Sequence, residues 1–391
     1  MDERALMDDP ALERVIGSWQ SGRISRREAV RRLVMLGLGM TAASAALRAA
    51  SPDESPTAWA APGQNFKGQR LVVTSYAADW QQFMVGEHIP QFEAETGAKV
   101  ELAVGLAKNW FAAMRAAGKD NPPYDVVVAN ETFVAQLRAE GFLAPLPADK
   151  VPNLKFVSKA LRQPNDVGVL GLISPLGIAY RTDMIQEKDA PRSWFDLGKY
   201  GTKAVIFSIG NSGEPQHVLK MAQALTGDYK NWKPAVEWIA KHLCGARQVD
   251  FGGTEMTMMS QGEAAVGLLD SFDWALMKSK NLPVAWVLPK EGYCGMFEQD
   301  MNVCGGSKVR ELGYAFLNYW LSAPIQKKWA EKIYWMPGNS QVKISADVAK
   351  LMPVTPAQFN KIPHWDYIWV NSSGARGAMS DAWNRQVTGH C

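Results

Sequence analysis

Short apolar runs alternate with amphipathic stretches along most of the chain. The runs at 70–74, 99–104 and 124–129 have the length and β-branched content of buried strands, and a stretch with helical spacing follows each of them. The stretch at 131–140 ends before Gly141, a residue type that is common just beyond a helix. Strands that alternate with helices predict a parallel sheet with helices on both faces.

The same alternation begins again in the second half of the chain. We predict these further elements: strands at 169–174, 177–180, 204–208, 264–269 and 284–287, and helices at 215–225, 309–321 and 324–333. Two consecutive α/β units predict two lobes, and ligands of open α/β sheets bind beyond the carboxyl ends of the strands. We therefore expect an α/β protein with a ligand cleft between its lobes.

Residues 1–60 have a different organisation, which is typical of an export signal. Ser25-Arg26-Arg27 is followed by more basic residues, by an apolar run over 33–47 and by Ala58-Trp59-Ala60, which fits an A-x-A cleavage site. The apolar run is shorter than the roughly 20 residues that cross a bilayer. The basic segment resembles a twin-arginine signal. We predict cleavage near Ala60 and a periplasmic protein; a basic amphipathic helix that stays on the protein is the alternative.

Composition narrows the class of protein further. The 391 residues are a natural length for two domains. Hydrophobic residues make up 47% of the chain and charged residues 21%, which excludes a disordered or fibrous protein. The net charge of +3 gives no support to nucleic-acid binding. The 15 Trp and 10 Tyr residues will lie mostly in the core, but they also suit a ligand cleft.

The four cysteines would lie in an oxidising compartment. Cys294 and Cys304 flank a glycine-rich stretch and could close a short loop, which would leave Cys244 to pair with Cys391. Free thiols are the alternative. The chain has no CxxC pair, so the sequence does not support a zinc ribbon or a thioredoxin-type site.

Common catalytic motifs are absent from the sequence. The five histidines form no HExxH, and there is no GxSxG elbow, P-loop or GxGxxG after a strand. We therefore expect neither an enzyme nor a cofactor or metal requirement. An exported α/β hydrolase-type enzyme with an unrecognised pair of carboxylates stays open as an alternative.

Several short segments follow one another in an order that is informative as a set. They are LVVTSYAADWQ at 71–81, FEAETGAKV at 92–100, YDVVV at 124–128, SPLGIAY at 174–180, GEAAVG at 262–267, WVLPKEG at 286–292 and MPGN at 336–339. In this order they resemble the extracellular solute-binding proteins of ABC importers, in the branch of the spermidine/putrescine-binding proteins. The resemblance extends over roughly residues 70–387.

The chain departs from this family's pattern at three places. Ala77-Ala78 stands where the family often has two glycines, and Asp270 stands where polyamine binders have an aromatic residue. The acidic residue expected after the WVLPKEG segment has two candidates, Gln299 and Asp300, which would favour different ligands.

The resemblance implies a two-lobed, type II periplasmic-binding-protein fold. It places the first lobe at 67–174 with a return segment at about 302–340, the second lobe at 175–301, and a helical segment at 341–391 that packs across both lobes. The implied partners are a small cationic or zwitterionic amine and an ABC permease in the inner membrane. We expect a monomer with no nucleic-acid partner. A small organic anion, a phosphonate or a metal as ligand stays open.

Candidate ligand contacts lie at the ends of the predicted strands. They are Tyr76, Asp79, Trp80, Asn130, Glu131, Asp270, Phe272, Phe297, Gln299 and Asp300. An ammonium group needs carboxylates, and its methylenes need aromatic walls, which is why these residue types suit an amine. These residues could instead have purely structural roles. The acids that precede helices could be helix caps, Trp80 could be a core residue, and Asp300 could lie in an exposed turn.

A loop before the predicted helix at 215–225 suggests a second kind of contact. Asn211 and Ser212 precede the start of this helix, where free N–H groups suit an anion, whereas Glu214 would favour an amine. A zwitterion would use both. An ordinary serine-capped turn is the alternative.

Overall fold

The computed structural model describes residues 10–20, 23–36, 65–209, 214–250, 252–295 and 299–388. The chain forms two compact units, residues 1–61 and 62–391. In the first, helices α1 (Pro10–Gln20) and α2 (Arg26–Met35) pack through a small apolar cluster. Among the described residues no helix combines the length and apolar content that a membrane span requires. The end of the apolar run and the cleavage site lie outside these residues, so the export signal stays a prediction.

Twelve strands lie within the described residues. They are β1 (Arg70–Ser75), β2 (Lys99–Val104), β3 (Val126–Asn130), β4 (Leu143–Ala144), β5 (Val169–Ile173), β6 (Leu176–Arg181), β7 (Ala204–Phe207), β8 (Arg247–Val249), β9 (Val266–Asp270), β10 (Val284–Val287), β11 (Gln299–Cys304) and β12 (Met336–Pro337). Most strands were predicted within a few residues of these bounds, because strands buried on both faces are continuously apolar.

The second unit is also rich in helices. Its α-helices are α3 (Asp79–Phe83), α4 (Ile89–Thr96), α5 (Ala107–Ala117), α6 (Glu131–Ala139), α7 (Glu214–Thr226), α8 (Lys233–His242), α9 (Gly252–Ser260), α10 (Ser271–Ser279), α11 (Arg310–Trp320), α12 (Ala323–Ile333), α13 (Ala346–Ala349), α14 (Tyr367–Val370) and α15 (Ala378–Trp383). Three π-helical turns cover Met84–His88, Ser373–Gly377 and Asn384–Thr388. The 3-10 turns are Pro152–Phe156, Lys159–Leu161, Pro164–Asp166, Glu187–Asp189, Trp194–Lys199, Gly201–Lys203 and Pro356–Lys361.

The first sheet has the strand order β12-β5-β11-β3-β1-β2, and β4 pairs with β11. Strand β1 is parallel to both β2 and β3, whereas β11 is antiparallel to β3 and β5. The prediction of a parallel sheet is therefore wrong for β11, because the chain enters this strand on its return from the second sheet, in the direction opposite to its neighbours. Every residue of β3 and β11 is buried, which places them at the centre of this layer.

The second sheet has the strand order β10-β6-β9-β7-β8. Strand β7 is parallel to β8 and β9, whereas β6 is antiparallel to β9 and β10. Its core contains apolar residues from β6, β7, β9 and from helices α7 and α8. The predicted α/β class with two sheets is confirmed.

The chain crosses between the sheets at Ser174–Pro175, which join β5 to β6. The hydroxyl of Ser174 donates to Asp270 Oδ1 at 3.0 Å and accepts from Phe272 N at 2.9 Å, so the crossing is bonded to the start of α10. The chain returns to the first sheet through β11. This strand begins at Gln299, near the return expected at about 302, and the lobe boundaries stay a prediction.

The C-terminal segment contacts elements of both sheets. Trp365, Tyr367 and Trp383 lie in the core of the second sheet. Helix α14 also lies against α6 of the first sheet, where the amide nitrogen of Asn371 donates to Thr132 O.

The predicted disulfide between Cys294 and Cys304 is wrong, because both residues are buried free thiols. Strand β11 is extended over roughly 17 Å, and Cys304 lies at its far end. Cys294 instead contacts Leu176 O of the second sheet, at 4.0 Å from Sγ. Cys244 is disulfide-bonded, and its predicted partner Cys391 lies outside the described residues.

Candidate functional site

The candidate site lies at the edge of the first sheet where β1 and β3 end and β11 begins. The loop after β1 contains Tyr76, and α3 begins at Asp79. Ala78, which precedes α3, has φ 56 and ψ −134, a conformation that is costly for a residue with a Cβ. The loop thus has a backbone that glycine would adopt with less strain, although the sequence has alanine. The hydroxyl of Tyr76 accepts from Asn130 N at 3.3 Å and so connects the ends of β1 and β3.

Aromatic side chains from both sheets meet beside this edge. Trp335 lies two residues after the end of α12. The residue between them, Tyr334, caps the helix in a left-handed conformation with φ 62. Phe272 of α10 stacks on Trp335 with ring centroids 4.7 Å apart and an interplanar angle of 23°. Trp80 packs edge-on against Trp335 at 5.3 Å and contacts Trp329 at 4.4 Å.

The position of Trp80 combines two of the roles weighed from the sequence. Trp80 is buried and contacts a cluster of core tryptophans, as its core alternative predicts. Its indole Nε1 has no hydrogen-bond partner among the described residues, and the same is true of Trp335 Nε1. Buried N–H donors of this kind normally have an acceptor, so each of these two indoles has a donor that is left unsatisfied.

Asn130 and Gln299 face each other at this edge. They are paired residues in the antiparallel ladder of β3 and β11, so their side chains lie on the same face of the sheet. Both residues are only 1% exposed. Asn130 Oδ1 accepts from Thr132 N at 3.0 Å and caps α6. Asn130 Nδ2 and Gln299 Oε1 have no partner among the described residues.

Asp270 ends β9 and caps α10. Its Oδ1 accepts hydrogen bonds from Phe272 N at 3.1 Å, from Asp273 N at 3.2 Å and from the Ser174 hydroxyl at 3.0 Å. Burial raises the pKa of Asp270 to about 7, although these hydrogen bonds act in the opposite direction. Asp270 therefore has the capping role weighed from the sequence, and it also carries a carboxyl group next to the crossing between the sheets.

Two further acids lie close to Asp270, and we call Glu255, Asp270 and Asp273 the acidic cluster. Burial raises the pKa of Asp273 well above its ordinary value, and Asp270 and Asp79 raise it further. Burial raises the pKa of Glu255 well above its ordinary value, and Asp273 and Asp270 raise it further. Both carboxylate oxygens of Glu255 are buried without a partner among the described residues, and a Cβ at Gly267 would collide with one of them.

Glu131 and Asp300 are paired inside the protein and do not face a ligand as free carboxylates. Arg138 of α6 donates to Glu131 at 2.8 and 3.0 Å, to Asp300, and to Val167 O at 2.7 Å. Gln163 also donates to Asp300 at 3.0 Å. Asp300 is fully buried, so the exposed-turn alternative is wrong. We call Glu131, Arg138 and Asp300 the Arg138 ion cluster.

The two carboxyl groups of the Arg138 ion cluster share one cation. Burial and the neighbouring Glu131 raise the pKa of Asp300 well above its ordinary value. Burial works against the charged form of Arg138, but Asp300 and Glu131 raise its pKa overall. Arg138 forms ion pairs with both carboxyl groups, so neither of them is left to a ligand as an unpaired charge.

A cavity of about 600 Å³ lies next to the Arg138 ion cluster, between α6, the segment around 160–170 and residues 364–368. Of the predicted contacts, Glu131 alone lines this cavity. Its two arginines are already paired, Arg138 as above and Arg162 with Asp166. Within the described residues no group of three or more His, Cys, Asp or Glu side chains is placed to hold a metal ion.

Some predicted contacts lie outside the described residues. These are Asn211, Ser212 and Phe297. Glu214 is the first residue of α7, but its side chain also lies outside the description. The contacts weighed for these four residues stay predictions.

Sequence reasoning missed four residues of the site: Glu255, Asp273, Trp335 and Arg138. Asp273 could have been found, because the third residue after a capping aspartate shares its helix turn. Trp335 and Glu255 come from segments far from the predicted strand ends, and no local pattern connects them with the cleft.

Comparison with known proteins adds independent information. A family model for the bacterial extracellular solute-binding proteins matches residues 87–354. Spermidine/putrescine-binding periplasmic protein 1 of Haemophilus influenzae is 26% identical over 309 residues, which cover 75% of this chain and 83% of that protein.

Solved structures give the same fold with different ligands. The substrate-binding protein PotD of a spermidine/putrescine ABC transporter from Streptococcus pneumoniae matches with TM-score 0.66 and 20% identity, over 83% of this chain and all of that one. The periplasmic binding protein AfuA of Actinobacillus pleuropneumoniae, with fructose-6-phosphate bound, matches with TM-score 0.66 and 20% identity, over 82% of this chain and 99% of that one. At this identity the likeness establishes the type II fold and not the ligand.

Proposed function

The chain belongs to the family of bacterial extracellular solute-binding proteins, and from this premise we propose that it captures a small amine between its two lobes and delivers it to a membrane permease. Members of this family are the binding components of ABC transporters and act outside the cytoplasm. The hydrolase alternative is therefore wrong, because the family binds solutes and does not transform them. The chemical class of the ligand is the part that we propose.

The acidic cluster is the observation that carries the amine proposal. Glu255, Asp270 and Asp273 are buried, and none of them forms an ion pair with a cation among the described residues. Buried carboxylates without a counter-charge are unfavourable, and an ammonium group placed among them would remove that cost. An anionic ligand would increase the repulsion at the same position.

The aromatic side chains supply the second element that an amine needs. Trp335 and Phe272 are stacked beside the first turn of α10, close to Asp270 and Asp273. The face of an indole attracts a cation, and its flat surface covers the methylene groups of an aliphatic amine. The spermidine/putrescine-binding names of the curated relatives support the same ligand class.

We propose that ligand capture closes the two lobes, each built on one of the sheets. Phe272 belongs to the second sheet's α10 and Trp335 to the segment that leads into β12 of the first sheet. A ligand that contacts both has those contacts only when the lobes are closed, so it favours the closed state by its differential affinity. The Ser174–Asp270 hydrogen bond lies at the crossing, where the change of angle would be concentrated.

A ligand screen by thermal unfolding tests the proposal. The screen contains putrescine, spermidine, ω-amino amides, amino acids and organic anions. A ligand at a hundredfold excess over its dissociation constant stabilises the folded state by about 2.7 kcal/mol. We expect stabilisation by amines.

The variant Asp270→Asn separates charge from structure in this screen. Asparagine is as good a helix cap as aspartate, so helix α10 should keep its start while the site loses a negative charge. We expect at least a tenfold weaker amine affinity with little change in melting temperature. Asp366→Asn is the control, because Asp366 caps α14 through Trp369 N at the same kind of position and is not part of the acidic cluster; its additional ion pair with Lys230 is exposed and contributes little. Stabilisation by organic anions alone, or an unchanged amine affinity in Asp270→Asn, would contradict the amine proposal.

A further inference from the structure

We infer that the ligand is positively charged at one end only and carries a neutral hydrogen-bonding group, of the carboxamide type, at the other end. This inference rests on the proposed function and specifies the substrate class of the same site. It follows from the different chemistry that the two sheets present. The second sheet presents the acidic cluster, and the edge of the first sheet presents an uncharged donor and an uncharged acceptor.

The uncharged pair consists of Asn130 and Gln299. Asn130 Oδ1 is occupied as the cap of α6, which fixes the side chain and leaves Nδ2 as a donor. Gln299 Oε1 is an acceptor in the neighbouring position of the ladder. Each atom is buried and has no partner among the described residues, and an unsatisfied buried polar group is unfavourable.

A carboxamide satisfies both atoms at once. Its carbonyl oxygen accepts from Asn130 Nδ2, and its N–H donates to Gln299 Oε1. Directly paired residues of an antiparallel ladder have Cβ atoms about 4.5–5.5 Å apart, so the two side chains can contact adjacent atoms of one planar group. An ammonium group at this position could donate to Gln299 but would face the N–H donor of Asn130.

Neighbouring carboxylates do not convert this edge into a second cation site. Asp300 pairs with Ala129 in the ladder with β3, one position beyond the Gln299–Asn130 pair, so alternation along this regular ladder directs it to the opposite face of the sheet. There it belongs to the Arg138 ion cluster together with Glu131. Asp79 is near the other end of the ligand, because it lies close enough to Asp273 to raise the pKa of that residue.

The test measures the affinities of a matched set of amines by titration calorimetry. The set is 4-aminobutanamide, its three- and five-methylene relatives, putrescine, 4-aminobutanoate and butylamine. We expect the best amide to bind at least tenfold more tightly than putrescine and at least tenfold more tightly than butylamine. Butylamine has no group that can bind the uncharged pair, and the second ammonium group of putrescine offers the pair only donors. Wild-type protein that prefers putrescine would overturn the inference.

Gln299→Glu provides the reciprocal test, because it replaces the neutral acceptor with a carboxylate of the same shape. We expect it to reverse the preference, so that putrescine binds at least tenfold more tightly than the amide. Gln69→Glu is the control, since it adds the same charge to the same half of the molecule at an exposed position. An unchanged ranking in folded Gln299→Glu would overturn the inference.

A second variant is available if Gln299→Glu does not fold. Asn130→Ser keeps a good helix cap for α6 but removes the Nδ2 donor. We expect it to weaken amide binding about five- to tenfold and to leave butylamine binding unchanged; equal losses for both ligands would overturn the inference. Failure of the proposed function has a different result, namely that no amine binds to wild-type protein while organic anions do.

Discussion

Amine binding should strengthen as the pH rises from 6 to 8. In the ligand-free protein, burial holds the pKa of Asp270 at about 7, so a substantial fraction of this carboxyl is protonated at pH 6. An ammonium group stabilises the ionised form and lowers the pKa in the complex. Binding therefore releases a proton, and by linkage the affinity rises with pH through the pKa of the free protein.

The size of the effect follows from the fraction of ionised Asp270. At pH 6 about one tenth of a group with pKa 7 is ionised, and at pH 8 nearly all of it is, which gives about a tenfold difference in affinity or about 1.4 kcal/mol. The raised pKa values of Asp273 and Glu255 act in the same direction. Aliphatic amines stay protonated throughout this range, so the ligand itself does not contribute.

The assay is calorimetric titration of the tightest-binding amine at pH 6, 7 and 8, repeated in buffers with different ionisation enthalpies. The dependence of the measured heat on the buffer gives the number of protons released. Asp270→Asn should show a smaller increase of affinity with pH than the wild type. An affinity that stays constant or falls from pH 6 to 8, or a binding heat that is independent of buffer, would refute the reasoning.

Two predictions concern stability. Arg138→Met removes the cation that pairs with buried Asp300, so we expect a loss of about 3–5 kcal/mol in urea unfolding; a loss below 1 kcal/mol would mean that the pairing contributes little. His217 is buried with both ring nitrogens unpartnered among the described residues, and burial lowers its pKa to about 3. Its neutral form favours folding above pH 6.5, and this contribution is lost as the pH falls towards 3, at about 1.4 kcal/mol per pH unit. In urea unfolding at pH 7, 6 and 5, the free energy of unfolding should decrease less on acidification in His217→Phe than in the wild type. Equal decreases would contradict a role of buried His217 in the pH dependence.

The strand positions could be predicted because burial on both faces leaves a local pattern. Strand β10 has the predicted bounds, 284–287, and β7 ends one residue before its predicted end. Strand direction could not be predicted in the same way. The direction of β11 depends on where the chain returns from the other sheet, which is a long-range property and not a periodicity.

The candidate site was predicted in part, for the same physical reason. Asn130 and Asp270 are at strand ends and cap the helices that follow, so local pattern places them correctly. The choice between Gln299 and Asp300 could not be made from the sequence, because it depends on the register of β11 and on Arg138, a residue 162 positions away from Asp300. The free thiol of Cys304 was missed because extended chain separates it from Cys294.

The most direct test of the central claim is a crystal structure of the protein with its tightest-binding amine. The account predicts electron density between the lobes, with the ammonium nitrogen about 2.7–2.9 Å from a carboxylate oxygen of the acidic cluster and the aliphatic chain against the Trp335 ring. Density for the amine in any other place, or a closed cleft in which Asp270 and Asp273 contact no part of the ligand, would contradict it.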